Sequence, residues 1–255
     1  MRQLYPRTIQ MAKYHIDFSR DLPGFGNFDG SGIPMVFYGD TGRLEYNPVT
    51  AIQYGIANLE QYHLTGKKVH MDACEKIFRR LAGIKKDGLL PYDFHYKRYS
   101  LLPPWNSAMA EGQFMSFSVM LAEARGSSAY MDEALATFRA LRSLGPAKGI
   151  IRDISGSMFF EEYPSPEPSL VLNGHIFCLF GLYDLYRATG SAEARSAYLS
   201  GWKAMELLRP RYRYLFIWTK YDLYGGGRPA SIFYHRLNLQ LLKKAAVLAD
   251  KLSYD

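Results

Sequence analysis

The sequence predicts a mainly α fold, an incomplete α/α toroid of about seven major helices in helical-hairpin repeats, with short β-hairpins or long loops at one mouth. Three observations lead there. The segments LEQYHLTG (59–66), MLAEARG (120–126) and YDLYRATG (183–190) end alike, 60 and then 64 residues apart. Each terminal glycine has the place of a left-handed helix cap, and each is followed at once by a second helical pattern. The first helix of a pair is apolar nearly all round, as over 170–186, whereas its partner carries one stripe, as Ala194, Ala197, Tyr198, Gly201, Trp202, Met205 and Leu208 do.

Taken in order, the first pair lies on either side of Gly66, the second on either side of Gly126 and the third on either side of Gly190, inner then outer each time. A lone inner helix over 235–252 closes the chain. The connections entering the inner helices, 32–47, 88–106, 149–168 and 210–234, are the long ones and all fall at one end of such a toroid. They gather Tyr, His, Glu, Lys and Arg at one mouth, as a polar, aromatic-lined substrate funnel requires. Residues 1–35 are expected to form an N-terminal arm and 36–255 the toroid itself.

Composition narrows the chemistry. With 255 residues, 48% of them hydrophobic, the chain can bury a large core. No run approaches the roughly 18 apolar residues of a membrane span. The opening Met-Arg-Gln-Leu-Tyr-Pro-Arg lacks a following apolar stretch, so a cytoplasmic protein is expected of the chain as it stands. A start trimmed from a secreted or membrane-anchored protein is the alternative. A net charge of +7 favours an anionic partner, and the cations are scattered, with no block of five or six. No nucleic-acid signature accompanies them, which points away from DNA and RNA. Twenty tyrosines exceed what a core needs and offer faces on which sugar rings stack. Cys74 and Cys178 sit in helical patterns and are expected to be buried thiols.

Several motifs fail on spacing. The glycines at 24, 26, 30 and 32 neither follow a strand nor open a helix, and Asp29 among them reads as a turn rather than a cation loop. The six histidines show no metal-ligand spacing, and neither a metal nor a cofactor is expected.

What remains is FFEEYPSPEPSLVLNGHIFCLFGLYDLY (159–186). Glu162 and Tyr163 stand just ahead of an inner helix whose buried face carries Asn173. This run resembles the D-glucuronyl C5-epimerase family, with its EEYP, VLNG and GLYDL in order. YNPVTAIQYGI from Tyr46, PPWNSAMAEGQ from Pro103, YDL from Tyr221 and YHRLNLQLL from Tyr234 support it.

The resemblance implies conversion of D-glucuronate to L-iduronate within a heparosan-like polysaccharide, without nicotinamide or flavin. It assigns catalysis to Glu162, Tyr163, Tyr221 and Tyr234, and substrate contact to Asn173. Residues placed at the mouth by position, Tyr92, His95, Trp105, Glu111, Gln113, His175, Arg213, Lys220 and His235, join the candidate substrate contacts. The chain departs from the family at Phe177, where a Tyr is expected, at Tyr224, where an Arg follows YDL, at Glu111 for Gln, at Ile232 and Phe233 for Trp-Asp, and at Asn238 for His. It has no counterpart of the β-rich domain of larger members.

Proton removal α to a carboxylate and its return to the other face needs acid/base groups on both sides of the ring. Glu162 and Tyr234 are expected in those places, with Tyr163 and Tyr221 as alternates or relays. Adjacent strand residues point to opposite faces, so Glu162 and Tyr163 can both reach a sugar only where the backbone is irregular. The same first step begins β-elimination, leaving a polysaccharide lyase as an alternative; a non-catalytic acidic-glycan-binding protein is another. The expected partner is an anionic polysaccharide, with a homodimer left open.

Overall fold

A computed structural model describes residues 13–254. Seven α-helices occur among them: α1 (Pro48–Thr65), α2 (Lys68–Ile84), α3 (Ala108–Arg125), α4 (Ser128–Leu144), α5 (Leu172–Thr189), α6 (Ala192–Tyr212) and α7 (Ile232–Tyr254). They form three antiparallel hairpins, α1/α2, α3/α4 and α5/α6, and the inner helices meet in series from α1 through α3 and α5 to α7. This is the expected incomplete α/α toroid. Gly66, Gly126 and Gly190 end the inner helices with φ of 65°, 63° and 70°, each N–H bonding the carbonyl four residues back.

The inner and outer roles follow from the side chains. α3 buries every residue from Ala108 to Ala122, whereas α2 and α4 each bury one stripe, Met71, Cys74, Ile77 and Leu81 on the first and Met131, Ala134, Phe138 and Leu141 on the second. The backbones of α3 and α5 touch. A Cβ on Gly112 would lie 2.3 Å from Cys178 Cα, and one on Gly181 would lie 2.1 Å from the Gly112 carbonyl oxygen. α7 ends the arc, packing on α5 and α6, and accordingly buries a single stripe that includes Leu241, Ala245, Leu248 and Leu252.

Two boundaries differ from the expected ones. α6 runs through Pro210 to Tyr212, and α7 begins at Ile232, which shortens the last connection at both ends. Each connection into an inner helix carries an antiparallel pair: β1 (Val36–Tyr38) with β2 (Arg43–Glu45), the bridges Tyr92 to Trp105 and Tyr96 to Leu101, β3 (Ile151–Ile154) with β4 (Ser157–Phe160), and β5 (Arg213–Tyr214) with β6 (Trp218–Thr219). Asp29 closes a turn, accepting from the Ser31 and Ile33 N–H groups and the Tyr46 hydroxyl.

The described part of the arm crosses the inner faces of three helices. His15 Nε2 lies 3.0 Å from Asp184 Oδ1 of α5, the Tyr14 ring meets Phe180 of α5, and the Phe18 N–H donates to Glu60 of α1. The Tyr14 hydroxyl is buried near Gln113 and Ser116 of α3 without a hydrogen-bond partner. Residues 1–12 of the expected arm lie outside the described residues.

Candidate active site at the toroid mouth

The connections after α2, α4 and α6 bring their aromatic residues into one cluster. Tyr163 stands in the middle: its ring stacks on Tyr99 at 4.4 Å and lies 5.1 Å from Tyr96 and 5.9 Å from Trp105. The backbone leaves β4 at Phe160 and is irregular through Glu161–Tyr163, so Glu162 and Tyr163 both turn toward the cluster. Glu161 takes the opposite course. Its Oε2 accepts from the Ser169 hydroxyl and the Leu170 N–H, which ties the loop to the start of α5.

Glu162 is packed against the first turn of α5. A Cβ on Gly174 would lie 2.5 Å from Glu162 Cβ and 2.6 Å from its Oε2, so only glycine leaves room for this carboxyl. The Oε2 atom is buried and makes no hydrogen bond to protein. Burial pushes the carboxyl up to about 7, while the Tyr163 hydroxyl and the positive charge of Arg228 pull the other way. The Tyr163 hydroxyl lies near the Glu162 carboxyl, Tyr221 near Tyr163 and Tyr234 near Tyr221, each close enough to shift its neighbour's titration. The Tyr221 and Tyr234 rings meet edge to face at 4.7 Å. Burial raises all three phenols above their usual range, so they stay protonated at neutral pH.

Cations complete the mouth. Asp222 is fully buried, and its Oδ2 accepts from the Tyr99 hydroxyl at 2.7 Å, Arg98 Nη2 at 3.1 Å and Arg228 Nε at 3.2 Å. Arg228 in turn lies 4.3 Å above the Tyr221 ring, and its side chain is 45% exposed. Sequence reasoning missed Arg228, Arg98, Asp222, Tyr96 and Tyr99. Arg228 follows three glycines in an irregular loop, where spacing carries no directional information; Asp222 stood in view inside YDL.

The remaining candidates divide. Asn173 is buried beside Gly174, with an unpartnered Oδ1. Tyr92 and Trp105 stack at 4.0 Å and form a wall, their polar tips engaged by Asn47 and the Phe94 carbonyl. His95 is half-buried in the same hairpin.

Several are placed elsewhere. His175 is fully buried behind the site, sandwiched by Phe159 and Phe160, its Nδ1 accepting from the Phe160 N–H and its Nε2 facing the Gly201 carbonyl. Glu111 is fully buried and accepts from the Leu90 N–H, bracing the second connection. Gln113 lies deeper in α3, against Gln53 and under the arm. His235 stacks on Trp218 at 4.0 Å and accepts from the Thr219 N–H, beside a cavity that Arg213 of β5 also lines. Lys220 bonds the Gly226 carbonyl.

A family model described as "D-glucuronyl C5-epimerase C-terminus" matches residues 84–252, which hold the whole cluster. The chain belongs to this family. It is 30% identical over 165 residues to D-glucuronyl C5-epimerase of Caenorhabditis elegans, a match covering 58% of this chain and 27% of that protein. The chain thus spans about a quarter of this relative. Among solved structures, an α-mannanase of glycoside hydrolase family 76 from Bacteroides thetaiotaomicron superposes with a TM-score of 0.58 at 13% identity, covering 89% of this chain and 60% of the other. Cellobiose 2-epimerase from Bacillus thermoamylovorans gives a TM-score of 0.55 at 10% identity, covering 90% and 63%. Both show the α/α-toroid fold that this C5-epimerase-family chain shares.

Proposed function

We propose that the protein is a uronate C5-epimerase acting within an anionic polysaccharide of the heparosan type. The observation that carries this is the clustering of the buried Glu162 carboxyl with the Tyr163, Tyr221 and Tyr234 phenols, with Arg228 beside them. Glu162, whose titration near neutrality suits a base, takes the C5 proton, and the electron pair moves into the adjacent carboxylate. Arg228 and the Asn173 amide then stabilise the charge that accumulates there. Tyr234, held as a phenol, delivers a proton to the opposite face of C5. Tyr163 and Tyr221 then relay the Glu162 proton to the Tyr234 phenolate, which restores both groups. No redox step occurs, so the reaction needs no oxidant.

Incubating the protein in D2O with heparosan, N-sulfated heparosan and chondroitin tests this by NMR. Deuterium at C5 with iduronate signals is expected with one of them. C4–C5 unsaturation would make the protein a lyase, and absence of exchange with all three would overturn the reading for these polymers.

A further inference from the structure

The positive charge is less evenly placed than a search for basic blocks suggests. From Leu207 to Ala249 eight Lys and Arg stand against one carboxylate, Asp222, so this stretch alone accounts for the +7 of the chain; the other 23 cations are matched by 23 carboxylates. Asp222 is itself buried and engaged by two arginines.

At the tip of the β5–β6 hairpin in this stretch, Leu215, Phe216 and Ile217 are 70%, 89% and 82% exposed. Leu215 and Phe216 hold φ of 45° and 64°, a region that bulky residues rarely adopt. Glycine or asparagine would fit that turn better, so the tip presents apolar side chains at a conformational cost. Behind it lies a cavity of about 190 Å³ floored by Leu172, Leu239 and Leu242 and rimmed by Arg209 and Arg213. Tyr214 and Trp218 flank the tip.

We infer that this tip is a membrane-surface anchor: Leu215, Phe216 and Ile217 enter the interfacial layer of a bilayer while Arg209, Arg211 and Arg213 engage anionic phospholipid headgroups. Apolar side chains flanked by Tyr, Trp and Arg match the layered polarity of a lipid surface. A glycan would require polar groups that Leu215, Phe216 and Ile217 lack. A second copy of the same face would bring like charges together. Among the described residues no helix is long and apolar enough to cross a membrane.

Co-sedimentation of the full chain with phosphatidylcholine vesicles, with and without phosphatidylglycerol, tests the inference. Binding is expected only with phosphatidylglycerol. It should fall about tenfold or more in a Phe216→Asn/Ile217→Ser double variant, and likewise in an Arg209→Gln/Arg213→Gln variant, with melting temperatures unchanged. Asparagine suits the φ of Phe216, which keeps the first variant folded. Wild-type protein that stays in the supernatant with phosphatidylglycerol, or a tip variant that sediments as well as wild type, overturns the inference. A dimer lost in the tip variant without any vesicle binding would assign the face to a second copy and overturn it too.

Discussion

Glu162 is an expensive group to keep: buried, one oxygen unpartnered, and wedged against a helix backbone. A glutamine there would fill the same space without a titrating charge. Glu162→Gln is expected to lower C5 exchange by about 100-fold or more, while the melting temperature at pH 8 holds or rises. As a base, Glu162 must be ionised, so kcat/KM should climb with pH through about 7, the value to which burial has raised it; a flat profile would remove it from that role. The sequence made Glu162 and Tyr163 legible because their motif is local, and the irregular backbone required for both to reach one site is what the structure has. His175, expected at the mouth, is a miss that helix geometry alone could have prevented. Two residues along an α-helix turn it by about 200°, so if Asn173 faces the mouth His175 must face away, and it does. Arg228 was not legible, since its position depends on how a glycine-rich loop folds back over Tyr221.

At the level of elements, the helices were readable from their glycine caps and apolar faces, whereas their glycine interiors were not. A glycine inside a helix costs about 1 kcal/mol relative to alanine, and here Gly112, Gly174 and Gly181 mark where another chain segment comes too close for a Cβ. They differ in what they admit. Gly174 admits a side chain, so Gly174→Ala should displace the Glu162 carboxyl, reducing activity sharply for about 1–2 kcal/mol of stability. Gly112 admits the α5 backbone, and Gly112→Ala should cost about 3 kcal/mol. Denaturant titrations that gave the two variants equal stability would contradict this distinction. The end of α6 was misplaced because Pro210 is a helix breaker by propensity, yet the helix runs two residues beyond it, held by the packing of Leu208 and Tyr212 in the core.

For the whole molecule, burial raises Glu60, Glu161 and Glu162 to about 7 and Glu111 to about 8. In the unfolded chain these groups titrate near 4.5, so between that pH and about 7 to 8 the folded state holds protons that the unfolded state releases. Their linkage makes stability fall as pH rises through this window. His175, lowered to about 4, and His63, also lowered by burial, act oppositely below their unfolded value of 6.5, but they are two groups against four. The melting temperature should therefore be higher at pH 5.5 than at pH 8, which calorimetry at the two pH values would check. The arm contributes separately. His15→Ala would leave Asp184 buried without its partner, and a loss of about 3 kcal/mol is expected; a variant as stable as wild type would show that the arm is not pinned there.

That arm has a further consequence. Tyr14, His15 and Phe18 lie across the inner faces of α1, α3 and α5, below the mouth. The arc of inner helices is strapped across the end away from its mouth. On the function proposed here, a long glycan lies across the mouth instead of passing through the molecule. Chain ends then confer no advantage, interior sugars are as reachable as terminal ones, and the modified units should be scattered along each polymer instead of accumulating from one terminus.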